Sequence, residues 1–176
     1  MKLYIVRHGE TVENLQRILQ GHMPGTLTEQ GIEQAHAAAR NLAEMGVTFS
    51  RIVASDLKRT MDTAHIIQER VDVPIKSMAM LRERDWGEST GMPIDEARER
   101  FYHDGKWKFP ASAETEDQIY ARARQAIATL RSNYPGETLI VVTHGQLARN
   151  LIAAHFRCPV REVTPLVNGE VRVLTI

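Results

Sequence analysis

Two histidine-glycine pairs and two arginines carry the chemistry that this sequence can offer. Arg7-His8-Gly9 and Thr143-His144-Gly145 each join an imidazole to a glycine, and Ser55-Asp56-Leu57-Lys58-Arg59 adds a second guanidinium. A guanidinium is a planar fork of donors that meets an anion such as phosphate at two oxygens at once. A neutral imidazole keeps one ring nitrogen free to attack while the other carries hydrogen. Gathered around one phosphoryl group, such residues can neutralise its oxygens and react at phosphorus, and positioning and charge are most of that task. Taken singly, each has an ordinary reading: a histidine in a surface turn, an arginine in a surface ion pair.

Their position in the chain sets them apart. Leu3-Tyr4-Ile5-Val6, Arg51-Ile52-Val53-Ala54 and Leu139-Ile140-Val141-Val142 are short, β-favouring apolar runs, and each ends at one of the three clusters. In an open α/β sheet, ligands bind just beyond the carboxyl ends of the strands. Gly9 lets the backbone turn sharply beside His8 and approach a ligand closely.

The remaining elements follow from punctuation and period. Glu10 to Met23 is polar and reads as a loop or short helix, and Pro24-Gly25 marks a turn. Thr28 can cap a helix from about 29 to 45, whose inner face is Ile32, Ala35, Ala38, Ala39, Leu42 and Met45, with Gly46 as its left-handed terminator. After the strand Arg51–Ala54, Ser55 or Asp56 can cap a helix starting at Leu57 that buries Leu57, Met61, Ala64, Ile67 and Val71. An extended run near Ile75 to Met78, a loop from Arg82 to Gly91 and a short helix from Ile94 to Tyr102, ended by Gly105, come next. A long helix from Glu114 to Asn133, a strand from Thr138 to Val142, a helix from Gln146 to Phe156 and a last strand from Val171 to Ile176 complete the pattern. Strands alternate with helices, so the expected class is α/β with a mostly parallel sheet, in a single domain spanning 1–176.

Composition bounds the partners. The 176 residues suffice to bury roughly 70% of the surface of the unfolded chain. Twenty-two basic and 22 acidic residues cancel, and the pI of 7.1 gives no global field for nucleic acid or an anionic membrane. Any anion site must be local. One cysteine, Cys158, excludes an internal disulfide and fits a reducing compartment. Only four apolar residues separate Lys2 from Arg7, too few for a signal peptide or a membrane span, so the expected location is the cytoplasm.

Five blocks in order resemble the histidine phosphatase superfamily, which holds cofactor-dependent phosphoglycerate mutases and many small phosphatases. They are Arg7-His8-Gly9-Glu10-Thr11 with Asn14, Leu27-Thr28 with Gly31, Ser55-Asp56-Leu57 with Arg59, Leu81-Arg82-Glu83 with Gly87, and Thr143-His144-Gly145. The resemblance implies a three-layer fold with helices on both faces of the sheet. It makes His8 a nucleophile that forms a phosphohistidine, His144 a donor beside the transferring group, and Glu83 the acid for the leaving oxygen. Arg7, Arg59, Asn14 and Gly145 would then hold the phosphate, with no metal and no cofactor. The two histidines need different protonation states, and phosphate oxygens favour the charged form of His144. A carbonyl near Gly9 can hold the proton of His8. Glu10 and Asp56 are expected to orient these groups, and His22 to approach the pocket, whereas His36, His65, His103 and His155 fall on expected helices.

The sequence also departs from the family. Arg84-Asp85 follows Glu83 where an apolar residue is usual, Ala113-Glu114-Thr115 stands for Gly-Glu-Ser, and His22-Met23-Pro24-Gly25 replaces an aspartate after Gly21. Full mutases of the family carry extra segments before the second histidine, and this chain is compact there, which favours hydrolysis of a small organic phosphate over isomerisation. Trp86, Phe101, Tyr102, Trp107 and Phe109 are half of the ten aromatic residues. They can line a lid over an organic leaving group or form the core of a capping helix. Sugar phosphates, nucleotide-like monophosphates such as α-ribazole phosphate, phosphoserine and phosphohistidine proteins all stay open. Two alternatives stand beside hydrolysis: a cofactor-dependent phosphoglycerate mutase, and a non-catalytic module for a phosphorylated ligand. A zinc deaminase is disfavoured, because His8-Gly9-Glu10 has no paired cysteines to accompany it. Oligomeric state is not encoded in any of these patterns.

Overall fold

The structure, a computed structural model, describes residues 1–176. In chain order its elements are β1 (Lys2–Arg7), α1 (Val12–Leu15), α2 (Glu29–Glu44), β2 (Arg51–Ala54), α3 (Lys58–Val71), β3 (Ile75–Ser77) and α4 (Ile94–Phe101). They continue with β4 (Tyr102–His103), β5 (Lys106–Trp107), α5 (Glu116–Asn133), β6 (Thr138–Thr143), α6 (Gly145–Phe156) and β7 (Val171–Thr175). The main sheet has the order β3-β2-β6-β1-β7, parallel except for β7, which runs antiparallel against β1.

The apolar runs are continuous rather than alternating because both faces of the sheet are covered. Tyr4, Val6, Ile52, Ala54, Ile140 and Val142 pack with Ala38, Leu42, Ala64 and Ile67 of α2 and α3. Their chain neighbours Leu3, Ile5, Val53, Leu139 and Val141 point the other way, onto Ile119, Ala123, Leu130, Leu147 and Leu151 of α5 and α6. This is the expected three-layer α/β arrangement, with helices on both faces. No helix is long and apolar enough to cross a membrane.

Several local expectations are corrected. Ser55 and Asp56 do not cap α3: its N-cap is Leu57, without a side-chain bond. Ser55 Oγ accepts from Leu57 N–H at 3.3 Å, and Asp56 pairs with Arg82 instead. The buried face of α3 is Arg59, Thr60, Thr63, Ala64 and Ile67, turned from the apolar stripe, because its first turns face the polar strand ends. Thr115 caps α5 in a reciprocal box with Gln118, so the helix starts at Glu116, leaving Glu114 free to bind elsewhere. Beyond α4 the chain forms the hairpin β4–β5 around Asp104 and Gly105, with φ of 52° and 74°. Two consecutive left-handed residues make the tight turn that Asp-Gly favours.

Backbone packing fixes the segment after β1. A Cβ on Gly9 would lie 2.1 Å from the carbonyl oxygen of Gly31, and one on Gly31 would lie 2.0 Å from that of Glu10. The first turn of α2, capped by Thr28 through the Gly31 N–H at 2.9 Å, is thus wedged against this segment with no room for a side chain.

Candidate active site

Register brings the three clusters to one edge. Arg7 stands opposite Thr143, and Val142 opposite Ala54, so the next residues of β1, β6 and β2 emerge side by side. These are His8, His144 and Ser55. Both imidazoles are buried, with ring centroids 5.2 Å apart at 64°.

The tautomer of His8 follows from its neighbours. Nδ1 lies 2.7 Å from the Gly9 carbonyl, which can only accept, so Nδ1 carries the hydrogen and Nε2 keeps its lone pair. Arg59 Nε donates to that lone pair at 3.3 Å. The backbone is pinned by His8 N–H to the Thr143 carbonyl at 3.0 Å, Asn168 Nδ2 to the His8 carbonyl at 2.9 Å and Gly9 N–H to Thr63 Oγ1 at 3.2 Å. Asn168 escaped the sequence reading. So did the role of Ser55, whose Oγ sits 2.9 Å from His144 Nε2 while accepting from Leu57 N–H. The Ser55 hydroxyl hydrogen is satisfied by donation to Nε2. Nε2 is thereby committed to Ser55, and the other ring nitrogen of His144, Nδ1, is a buried atom with no partner.

Arg59 is 1% exposed, and its Nη2 donates to the Gly21 carbonyl at 2.9 Å and its Nη1 to that of Met23. Arg7 donates through Nη1 to the Leu166 carbonyl at 2.6 Å, while its buried Nε has no partner. Burial lowers the pKa of both guanidiniums, that of Arg59 to about 10, so both keep their charge at neutral pH.

Glu83 sits at the N-terminus of α6. Its Oε1 accepts from the N–H groups of Arg84 at 2.9 Å, Gln146 at 3.2 Å and Leu147 at 3.2 Å. The helix end expected to greet a free anion is therefore partly filled by the protein's own carboxylate. Oε2 meets only Gln146 N–H, at 3.2 Å, and is the less committed oxygen. The loop carrying Glu83 is clamped by Arg122, which donates to the carbonyls of Met80 at 2.9 Å, Arg82 at 2.7 Å and Glu83 at 3.2 Å, and is itself held by both carboxylate oxygens of Glu114. Arg84, standing in the usual apolar place, is buried and lies flat over Trp86 at 4.6 Å.

Arg7, His8, Asn14, Arg59, Glu83 and Gly145 line one cavity of about 240 Å³, with His144 packed against His8. Asn14 Oδ1 accepts from Thr11 N–H at 3.1 Å and from Asn168 Nδ2 at 3.3 Å. His22 does not join them: it bonds the Glu83 carbonyl at 3.0 Å and lines a separate cavity. Glu10 accepts from the Thr28 hydroxyl at 2.9 Å, a link to the cap of α2. His103 lies on β4 rather than a helix. No group of three or more His, Cys, Asp or Glu side chains comes together as metal ligands.

Burial first, then the charge of Arg59, push both histidines well below the ordinary imidazole value of 6.5, with the Gly9 bond opposing this at His8. The free site therefore holds His144 neutral too, and its expected charged form would require a bound anion. Below pH 6.5 the unfolded chain binds protons that the folded chain refuses, so stability should be constant above that value and fall beneath it. Below about pH 6.5 the slope from each histidine approaches that of one proton, about 1.4 kcal/mol per pH unit, until the folded-state imidazole itself titrates. Urea unfolding across this range checks it. His8→Asn should roughly halve the slope, and a flat profile would contradict neutral burial.

A parallel sheet that delivers two buried imidazoles and two guanidiniums to one strand edge defines a phosphate-handling α/β protein. The sequence profile of the histidine phosphatase superfamily (branch 1) matches residues 3–176, and the chain belongs to that family. A broad-specificity phosphatase of Saccharomyces cerevisiae is 32% identical across 86% of this chain and 69% of its own length. The uncharacterized phosphatase PhoE of Bacillus subtilis is 34% identical across 84% of this chain and 74% of its own. Among solved structures, a mycobacterial glucosyl-3-phosphoglycerate phosphatase complexed with VO3 is 31% identical, with a TM-score of 0.84 over 99% of this chain and 92% of that one.

Proposed function

We propose that this protein hydrolyses a small organic phosphomonoester through a phosphohistidine on His8, without a metal. The observation that carries the reading is a pair of unpartnered buried nitrogens in the cluster that holds His8. The His8 Nε2 lone pair faces Arg59, and Arg7 Nε and His144 Nδ1 are buried without partners. Buried donors left unpaired are costly, and phosphate oxygens would satisfy them.

In the first step His8 Nε2 forms a bond to phosphorus as the P–O bond to the leaving group breaks. That oxygen keeps the electron pair and takes a proton from Glu83. Arg7, Arg59 and His144 meet the charge on the phosphoryl oxygens. In the second step water, losing its proton to the Glu83 carboxylate, attacks phosphorus and the P–N bond breaks, releasing orthophosphate and restoring His8. The mycobacterial relative forms a complex with VO3, a phosphate-like oxyanion, which supports the reading. Hydrolysis is favoured over a mutase reaction because the chain between Glu83 and His144 adds only α4, the small hairpin and α5 over the sheet. The single cysteine fits work in the cytoplasm.

The test is hydrolysis of a phosphomonoester panel in EDTA, with acid and base quenching of the labelled enzyme. An adduct that is acid-labile and base-stable supports phosphohistidine. Neither turnover nor adduct across the panel would leave a module that only binds phosphorylated ligands, and isomerisation of phosphoglycerate would make it a mutase.

A further inference from the structure

A second cavity, of about 380 Å³, adjoins the phosphate cavity and shares Leu19, Trp86, Ile94, Gln146 and Arg149 with it. Its outer wall is aromatic. The Trp107 and Phe109 rings are parallel within 5° at 5.1 Å, and Trp86 stands 4.8 Å from Phe109 with Arg84 laid over its face. Trp107, on the hairpin, is 41% exposed. Tyr102 also packs on Trp107, at 5.2 Å and 58°, so the aromatic wall continues onto the surface, and a flat ring packs well against such a wall.

The inner wall holds a polar atom that the protein does not satisfy. Asn150 is 3% exposed and lines this cavity. Its Nδ2 donates to the Gln146 carbonyl at 2.9 Å, and because a carbonyl only accepts, the orientation of the amide is fixed. Its Oδ1 is therefore the free end, buried and without a partner. An acceptor left unpaired in the wall of a recess selects for a donor, here in a lining that also holds Arg84, Glu116 and Arg161. Arg149, between the two cavities, is no spare counter-charge, since it gives Nε and Nη2 to the carbonyls of Val163 and Val160 at 3.1 and 2.9 Å.

Resting on the phosphomonoesterase reading, we infer that this second cavity is the leaving-group subsite. It takes an aromatic or heteroaromatic group that stacks on the Trp107–Phe109 wall and offers an N–H or O–H to Asn150 Oδ1. The physiological substrate is then a phosphate ester of a flat, donor-bearing organic group.

Binding of non-hydrolysable phosphonates separates this inference from the hydrolase reading. The probes are 3-(indol-3-yl)propylphosphonate, its N-methylindole counterpart and pentylphosphonate, titrated calorimetrically into the wild type, Asn150→Leu and Trp107→Ala. The wild type should bind the indole about tenfold more tightly than the N-methyl compound, as for one hydrogen bond in a buried site, and pentylphosphonate more weakly than either. Asn150→Leu should erase the difference between the two indoles. Trp107→Ala, at a half-exposed position that need not disturb folding, should shrink the advantage of both indoles over pentylphosphonate severalfold. Equal affinity of the wild type for the two indoles, or for indole and pentyl compounds, would overturn the subsite whether or not phosphates are hydrolysed. The expected affinities without turnover of the corresponding phosphates would sustain the subsite and remove the hydrolase.

Discussion

His8→Ala is expected to lower kcat/KM by at least about a thousandfold and to abolish the acid-labile adduct, because the nitrogen proposed to form the P–N bond is gone. Phosphate binding should persist more weakly, since Arg7, Arg59 and His144 remain. The truncation leaves a small space beside Arg59, whose Nε loses its 3.3 Å acceptor while Nη1 and Nη2 keep the carbonyls of Met23 and Gly21. The fold should therefore survive, which circular dichroism would verify before rates are compared. Retention of more than a few per cent of wild-type turnover would remove His8 as the nucleophile.

Glu83→Gln gives the second large effect, with a built-in control. The amide oxygen can still accept from Arg84, Gln146 and Leu147 N–H groups, so the loop held by Arg122 should stay in place. What is lost is the proton that the proposed mechanism supplies to the leaving oxygen. For an alkyl phosphate kcat should drop by about 10²- to 10⁴-fold, the usual contribution of a positioned acid. For an aryl phosphate whose phenolate departs without a proton, the loss should be much smaller. Equal losses on both substrates would show that Glu83 supports the site without donating a proton, and another group would have to be sought.

The strand-exit residues were legible because an apolar run followed at once by Arg-His-Gly or Thr-His-Gly reads locally, within one short window. Parallel register then does the rest, converting separate windows into one cavity edge. Asn168 and Arg122 left no such signal. Each acts through contacts made only after folding: Asn168 reaches His8 across 160 positions, and Arg122 reaches the Glu83 loop across about 40. The face of α3 misled for a related reason. Its apolar stripe is real, but Arg59 and Thr63 are buried by hydrogen bonding to the site, and periodicity counts only apolar burial. The hairpin at Asp104-Gly105 was within reach, since Asp-Gly is a strong turn signal, but strands of two residues are too short to show alternation.

The wedge of Gly9 against Gly31 divides the molecule into a part that cannot drift and a part that can. Backbone touches backbone on the α2 side of His8, so no mutation there can enlarge or reshape the pocket without evicting the imidazole itself. The opposite wall, running through Trp86, Trp107, Phe109 and Arg161, is made of side chains, several on a surface hairpin and its flanks. New preferences for what is bound can be acquired on that wall, by exchanging rings and charges around a backbone frame that stays fixed.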